Sequence, residues 1–171
     1  MPLLHRRRVR LIALAGTLAG ALLAACGGST SPSSPTPSPL SQSQIQARYT
    51  AAATQYNHSE VQIGLTVNAA CDVGSPTAAL TACQTALSQQ RQAAIAYDNA
   101  LRAIPFTGTA ATDASHLLSD DAAIESLLEQ AATAPSLATI ASVEHQVIPL
   151  LATAATAATT LRLDIGLPAP G

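Results

Sequence analysis

Four stretches of the chain carry apolar and small residues at steps of three and four, the period of a helix that buries one face. In the first, Ile45, Tyr49, Ala52, Tyr56, Ile63 and Val67 make the inner stripe. It opens with Ser41 and Gln44 at capping-box spacing and Leu40 and Ile45 at hydrophobic-staple spacing, and it is expected to run to about Ala69. The turn Cys71-Asp72-Val73-Gly74-Ser75-Pro76 follows, with Ser75 placed to cap the next helix and Pro76 at its first position. The second stretch is the most regular. Leu80, Cys83, Leu87, Gln90, Ala94, Tyr97, Leu101 and Ile104 form a bundle seam, and Pro105-Phe106-Thr107-Gly108 stops it.

The third helix is expected from about Ala111 to Ala132, carrying Leu117, Leu118, Ile124, Leu127 and Leu128. Ser119-Asp120-Asp121 reads as an internal cap and predicts a late start or a kink. Ala134-Pro135-Ser136 starts the fourth, whose stripe includes Leu137, Ile140, Val147, Leu151, Ala154, Ala158 and Leu161. Pro149 is expected to bend it, and Gly166 to end it with Pro168 beyond. Short connections predict an all-α, antiparallel up-down-up-down four-helix bundle over residues 41–171.

The first forty residues follow other patterns. Arg6, Arg7, Arg8 and Arg10 precede an apolar run from Leu11 to Ala25 broken only by Thr17. This is the layout of a secretory signal, and the run is shorter than the roughly 20 residues that span a bilayer comfortably. It closes on Leu23-Ala24-Ala25-Cys26, which resembles the lipobox of bacterial prolipoproteins. The resemblance covers residues 1 to about 40. It implies that residues 1–25 are removed, that the Cys26 thiol carries a diacylglyceryl group, and that Cys26 becomes the N-terminus. Arg7-Arg8 suggests twin-arginine export, but Arg10 stands where that signal prefers an apolar residue, so general secretion is expected. Residues 26–40 then form a tether. Gly27 to Pro39 reads GGSTSPSSPTPSP, with nothing to bury, and stretched at about 3.1 Å per residue it reaches roughly 40 Å from the lipid.

Removal of the signal changes the charge. Arg48, Arg91, Arg102 and Arg162 remain against ten acids, a net charge of −6, and the chain has no lysine. So few cations cannot neutralise many phosphates, which argues against nucleic acid and against peripheral binding to anionic lipid. The expected membrane link is the lipid alone, at about 0.8 kcal/mol per buried methylene. Tryptophan is absent and Phe106 is the single phenylalanine, so small side chains dominate the core. Closely packed helices leave little room for a large cofactor such as haem or flavin, and none is expected.

Cys71 and Cys83 remain after lipidation. In an exported protein they are expected to form a disulfide between the end of the first helix and a point about two turns into the second. That link sets a register placing Tyr97 near Tyr56 and Arg91 within reach of Glu60. Tyr56, Gln90, Arg91 and Tyr97 are therefore candidate ligand-binding residues in a polar seam. The same residues also read as a hydrogen-bonded core layer with a surface ion pair.

Asp113 and His116 share a helix face at i, i+3 spacing, but a di-iron bundle needs a second such motif and further glutamates, so no metal site is assigned. Pairing of the second and third helices would bring Asp98 toward Asp120 and Asp121, a grouping that suits either a hard cation or a solvated face. No nucleophile elbow, phosphate loop or His-Glu-x-x-His motif is present. The expected role is a non-catalytic binding or structural module of the cell envelope, lipid-anchored on the outer side of the membrane. The alternatives are a small-ligand sensor or carrier using the Tyr56–Gln90–Tyr97 seam, and a metal-binding protein around His116.

Overall fold

The computed structural model describes residues 39–74 and 77–169. The signal segment, Cys26 and most of the tether lie outside the described residues, as do Ser75 and Pro76. Within them the chain forms four helices: α1 (Gln42–Cys71), α2 (Leu80–Arg102), α3 (Thr109–Ala132) and α4 (Leu137–Asp164). There is no strand among the described residues. The helices pack as a bundle in which α1–α2, α2–α3 and α3–α4 make the extensive contacts, while α1 and α4 touch over a short stretch.

The helix ends follow from local chemistry. The Ser41 side chain accepts from the Gln44 backbone N–H, and the Gln44 side chain accepts from the Ser41 backbone N–H, completing the capping box. Ser136 caps α4, its hydroxyl accepting from the Thr139 N–H at 3.1 Å. Ser136→Ala is expected to cost about 1 kcal/mol, because it orphans one amide at a helix start. A denaturant midpoint unchanged from the parent protein would refute it.

At the other end of α4, Gly166 takes φ 76°, where a side chain would be strained. Leu167 N–H donates to the Arg162 carbonyl and Gly166 N–H to that of Leu163, the paired bonds of a Schellman turn. A Cβ on Gly166 would also approach the Gln42 Nε2 to 2.9 Å.

Three expectations about the helices need correction. First, α2 begins at Leu80 rather than at Pro76, with Ala79 as a cap that offers no side-chain bond. The Ala79 N–H donates to the Ala70 carbonyl at 2.9 Å, and the Thr77 hydroxyl donates to that of Ala69. The turn is held back against the end of α1, so Cys83 sits in the first turn of α2. Second, α3 neither starts late nor breaks at Ser119-Asp120-Asp121. It runs unbroken from Thr109, after Gly108 at φ 60°. Third, Leu151 faces outward on α4 and is 49% exposed.

Pro149 lies inside α4, and the helix runs through it as one element. The ring supplies no N–H to the preceding turn. Immediately beyond it, the hydroxyls of Thr153, Thr156, Thr159 and Thr160 each donate to a carbonyl four residues back. These back-bonds turn the hydroxyl protons into the helix.

The core runs along the bundle axis. Tyr49, Leu87, Leu101, Leu117, Ile140 and Leu161 are its largest fully buried side chains, and alanines fill the gaps between them. At one pole, Cys71 and Cys83 form the expected disulfide, with Cα atoms 4.9 Å apart. At the opposite pole, the Gln46 side-chain amide donates to the Ile165 carbonyl at 2.7 Å, joining the start of α1 to the end of α4.

Candidate functional site

A polar layer crosses the middle of the bundle, built from α1, α2 and α3. The Tyr56 and Tyr97 rings stack with centroids 4.8 Å apart and planes 19° from parallel, as the disulfide register predicted. Burial raises the pKa of both hydroxyls, with neighbouring carboxylates adding to the effect at Tyr56 and the Tyr49 hydroxyl at Tyr97. Tyr49 is fully buried on the same side of α1. Its hydroxyl donates to the Ala158 carbonyl at 3.4 Å, and the Arg162 guanidinium lies 5.9 Å from its ring centre.

Gln90 and Arg91 divide their partners differently from expectation. The Gln90 amide, not Arg91, reaches Glu60, donating to its carboxylate at 2.8 Å. Arg91 turns to α3 and pairs with Glu129 at 3.2 Å. Successive helical residues point about 100° apart, so adjacent positions on α2 serve opposite neighbours. Burial raises the Glu60 pKa, and the bond from Gln90 opposes that rise.

The expected approach of Asp98 to the acids of α3 is also realised. Asp98 is completely buried, and its carboxyl meets that of Asp121 across the α2–α3 seam. Arg102 binds one Asp98 oxygen, Oδ2, at 3.0 Å from the next turn of α2. Burial and the facing Asp98 push the Asp121 pKa up to about 7, and Glu125 and Asp120 add to the rise. Asp98 is raised as well, by burial and then by Glu125, against the pull of Arg102.

Among the described residues, four buried carboxyl oxygens in this layer find no donor: Glu60 Oε1, Asp98 Oδ1, Asp121 Oδ2 and Glu125 Oε1. Arg91 Nε is likewise buried without an acceptor among the described residues. Glu125 is not among the residues the sequence pattern points to, although it lies one turn beyond Asp121 on the same face of α3.

Space around the layer is limited. A recess of about 40 Å³ lies between Ala52, Tyr56, Ser59, Ala93, Tyr97 and Ala100, enough for a few water molecules at most. Among the described residues, Tyr56 and Tyr97 thus border a recess far smaller than a small-molecule site, and Gln90 is turned to Glu60.

A larger, open recess of about 640 Å³ lies on the outer face between α3 and α4. Asp113, His116 and Asp120 line one wall, and Thr153, Thr156 and Thr160 line the other. The Asp113 pKa is raised by partial desolvation and then by the Asp164 carboxyl, which contacts it from α4. His116 is exposed. Among the described residues, no three His, Cys, Asp or Glu side chains come together as a metal-ligand group.

The outer face of α4 leaves large apolar side chains uncovered. By length and composition α4 could cross a membrane, yet only 17% of its most apolar window is buried. Ile148 and Leu151 stand 61% and 49% exposed, one turn apart on its outer face. Val61 and Leu65 are similarly uncovered on the second half of α1.

Comparison with known protein families, curated proteins and solved structures finds no match to this chain.

Proposed function

We propose that this chain is a lipid-anchored extracytoplasmic helical domain acting as a non-catalytic binding module of the cell envelope. The observation that carries the reading is the outer face of α4, where Ile148 and Leu151 lie uncovered on a helix that is apolar and scarcely buried. Neighbouring large apolar side chains left uncovered on one helix are the kind of surface that a partner covers. The small size of the recess at Tyr56 and Tyr97 favours recognition through a helix face over capture of a small ligand inside the bundle.

The address rests on different residues. Leu23-Ala24-Ala25-Cys26 with its basic and apolar flank supplies the lipidation signal, and the Ser/Pro-rich tether holds the bundle off the membrane. A net charge of −6 after cleavage favours partners without a negative surface.

Cys26→Ser is expected to move the protein from the membrane fraction to the soluble or uncleaved fraction, and mass spectrometry of the parent should find a diacylated Cys26 at the N-terminus. An unmodified Cys26, or cleavage elsewhere, overturns the anchor. For the binding face, a photo-crosslinker at Leu151 should give a discrete adduct in intact cells, and one at the exposed Gln89 on α2 should not. Equal, diffuse labelling from both positions would defeat the α4 reading.

A further inference from the structure

We propose that Asp98 and Asp121 share one proton, and that this proton latches the α2–α3 seam so that the bundle loosens as pH rises. The argument begins with the oxygens. Asp98 is fully buried, and Arg102 occupies its Oδ2 and leaves Oδ1 without a donor. Directly across the seam, the Asp121 carboxyl also keeps a buried oxygen, Oδ2, without a donor. Two facing carboxylates cannot satisfy each other, since each only accepts. One proton between them converts the pair into a donor and an acceptor, and it removes a negative charge from a place that water does not reach.

The neighbours favour holding that proton. From α3, Glu125 and Asp120 add negative charge. Glu129 is engaged by Arg91 farther along the seam. From α2, Arg102 is the single cation in contact with the pair, and its side chain is about half exposed. From α1, Tyr49, Tyr56 and Glu60 face the layer, and the tyrosine hydroxyls are kept protonated by burial. No cation from α1 or α4 touches either aspartate among the described hydrogen bonds and ion pairs.

The sign is fixed by linkage. The folded pair holds its proton to a higher pH than an unfolded aspartate does, so the folded state binds more protons. Its stabilisation is complete below the unfolded value near 4 and is lost as pH climbs through about 7.

The test uses the full chain in detergent, with melting followed between pH 5 and pH 8. The parent protein is expected to lose about 5 °C or more over this range. Asp121→Asn, whose amide donates without a titrating proton, should reduce that loss by at least half. An equal loss in D121N overturns the proposal.

Should D121N fold poorly, carboxyl carbon shifts of the parent protein decide instead. One of the two aspartates should titrate near neutrality with a matching response at the other, whereas ordinary acid titration of both refutes the latch. The melts are repeated with millimolar calcium. Recovery of alkaline stability in the parent, absent in D121N, would make the pair a cation site and overturn the proton reading.

Discussion

Tyr49→Ala should cost about 3–5 kcal/mol, enough to bring a domain of ordinary stability close to unfolding. Tyr49 is 1% exposed and joins three helices. Its ring lies in the bundle core, its hydroxyl reaches the Ala158 carbonyl on α4, and its oxygen faces Tyr97 on α2. Elsewhere α1 and α4 touch little, so few other contacts compensate when this one goes.

The expected phenotype is directional. Hydrogen-exchange protection should fall first along the second half of α4 and the first half of α1, with α2 and α3 less affected. Tyr49→Phe separates the terms: it keeps the ring and should cost about 1 kcal/mol for the lost hydroxyl bond. A melting temperature for Y49A within about 3 °C of the parent protein would show that α1 and α4 are held by something else.

Removing the Cys71–Cys83 link by double alanine substitution should destabilise the bundle by about 3 kcal/mol, chiefly by freeing the short loop it closes in the unfolded chain. For a domain of this size that corresponds to a fall of about 10 °C in Tm. The link also performs a task in the folded state. α2 starts without a side-chain cap, and its first turn is positioned by the bond from Ala79 to Ala70 and by Cys83 itself. Loss of the disulfide is therefore expected to fray α2 from Leu80 to Leu87, which exchange at those amides reports. A reduced protein that melts with its oxidised form would contradict both expectations.

The helices were legible because their apolar spacing repeats over several turns, and in α2 each seam position from Leu80 to Ile104 is buried or half-buried. Structure and sequence expectation part where a residue type carries two meanings. Ser75 and Pro76 have the chemistry of a helix start, but the turn is tied back to α1 and the helix begins later. Asp120 and Asp121 favour helix N-termini in isolation, whereas here Asp121 supplies the partner of a buried carboxyl inside an unbroken helix.

The tyrosine stack was predictable because the disulfide fixes the antiparallel register along α1 and α2. The Arg91 partner was not, since register gives height along the bundle and a single residue's rotation decides which neighbour is met. Complete burial of Asp98 was likewise invisible, because a carboxylate on a helix of alternating polarity reads as solvated until its facing residues are known.

The bond from Gln46 to Ile165 has a topological consequence. It places both described ends of the helical domain at one pole, away from the Cys71–Cys83 pole, so the four helices close into a ring that the chain happens to open between α4 and α1. Packing and connectivity are then separable. A short bridge from the Gly166 turn to Ser41, with new termini cut at the glycine turn between α2 and α3, would keep every helix beside its present neighbours while reordering the chain. In such a rearranged molecule the loosest of the four neighbour pairings, α1 with α4, becomes covalently joined.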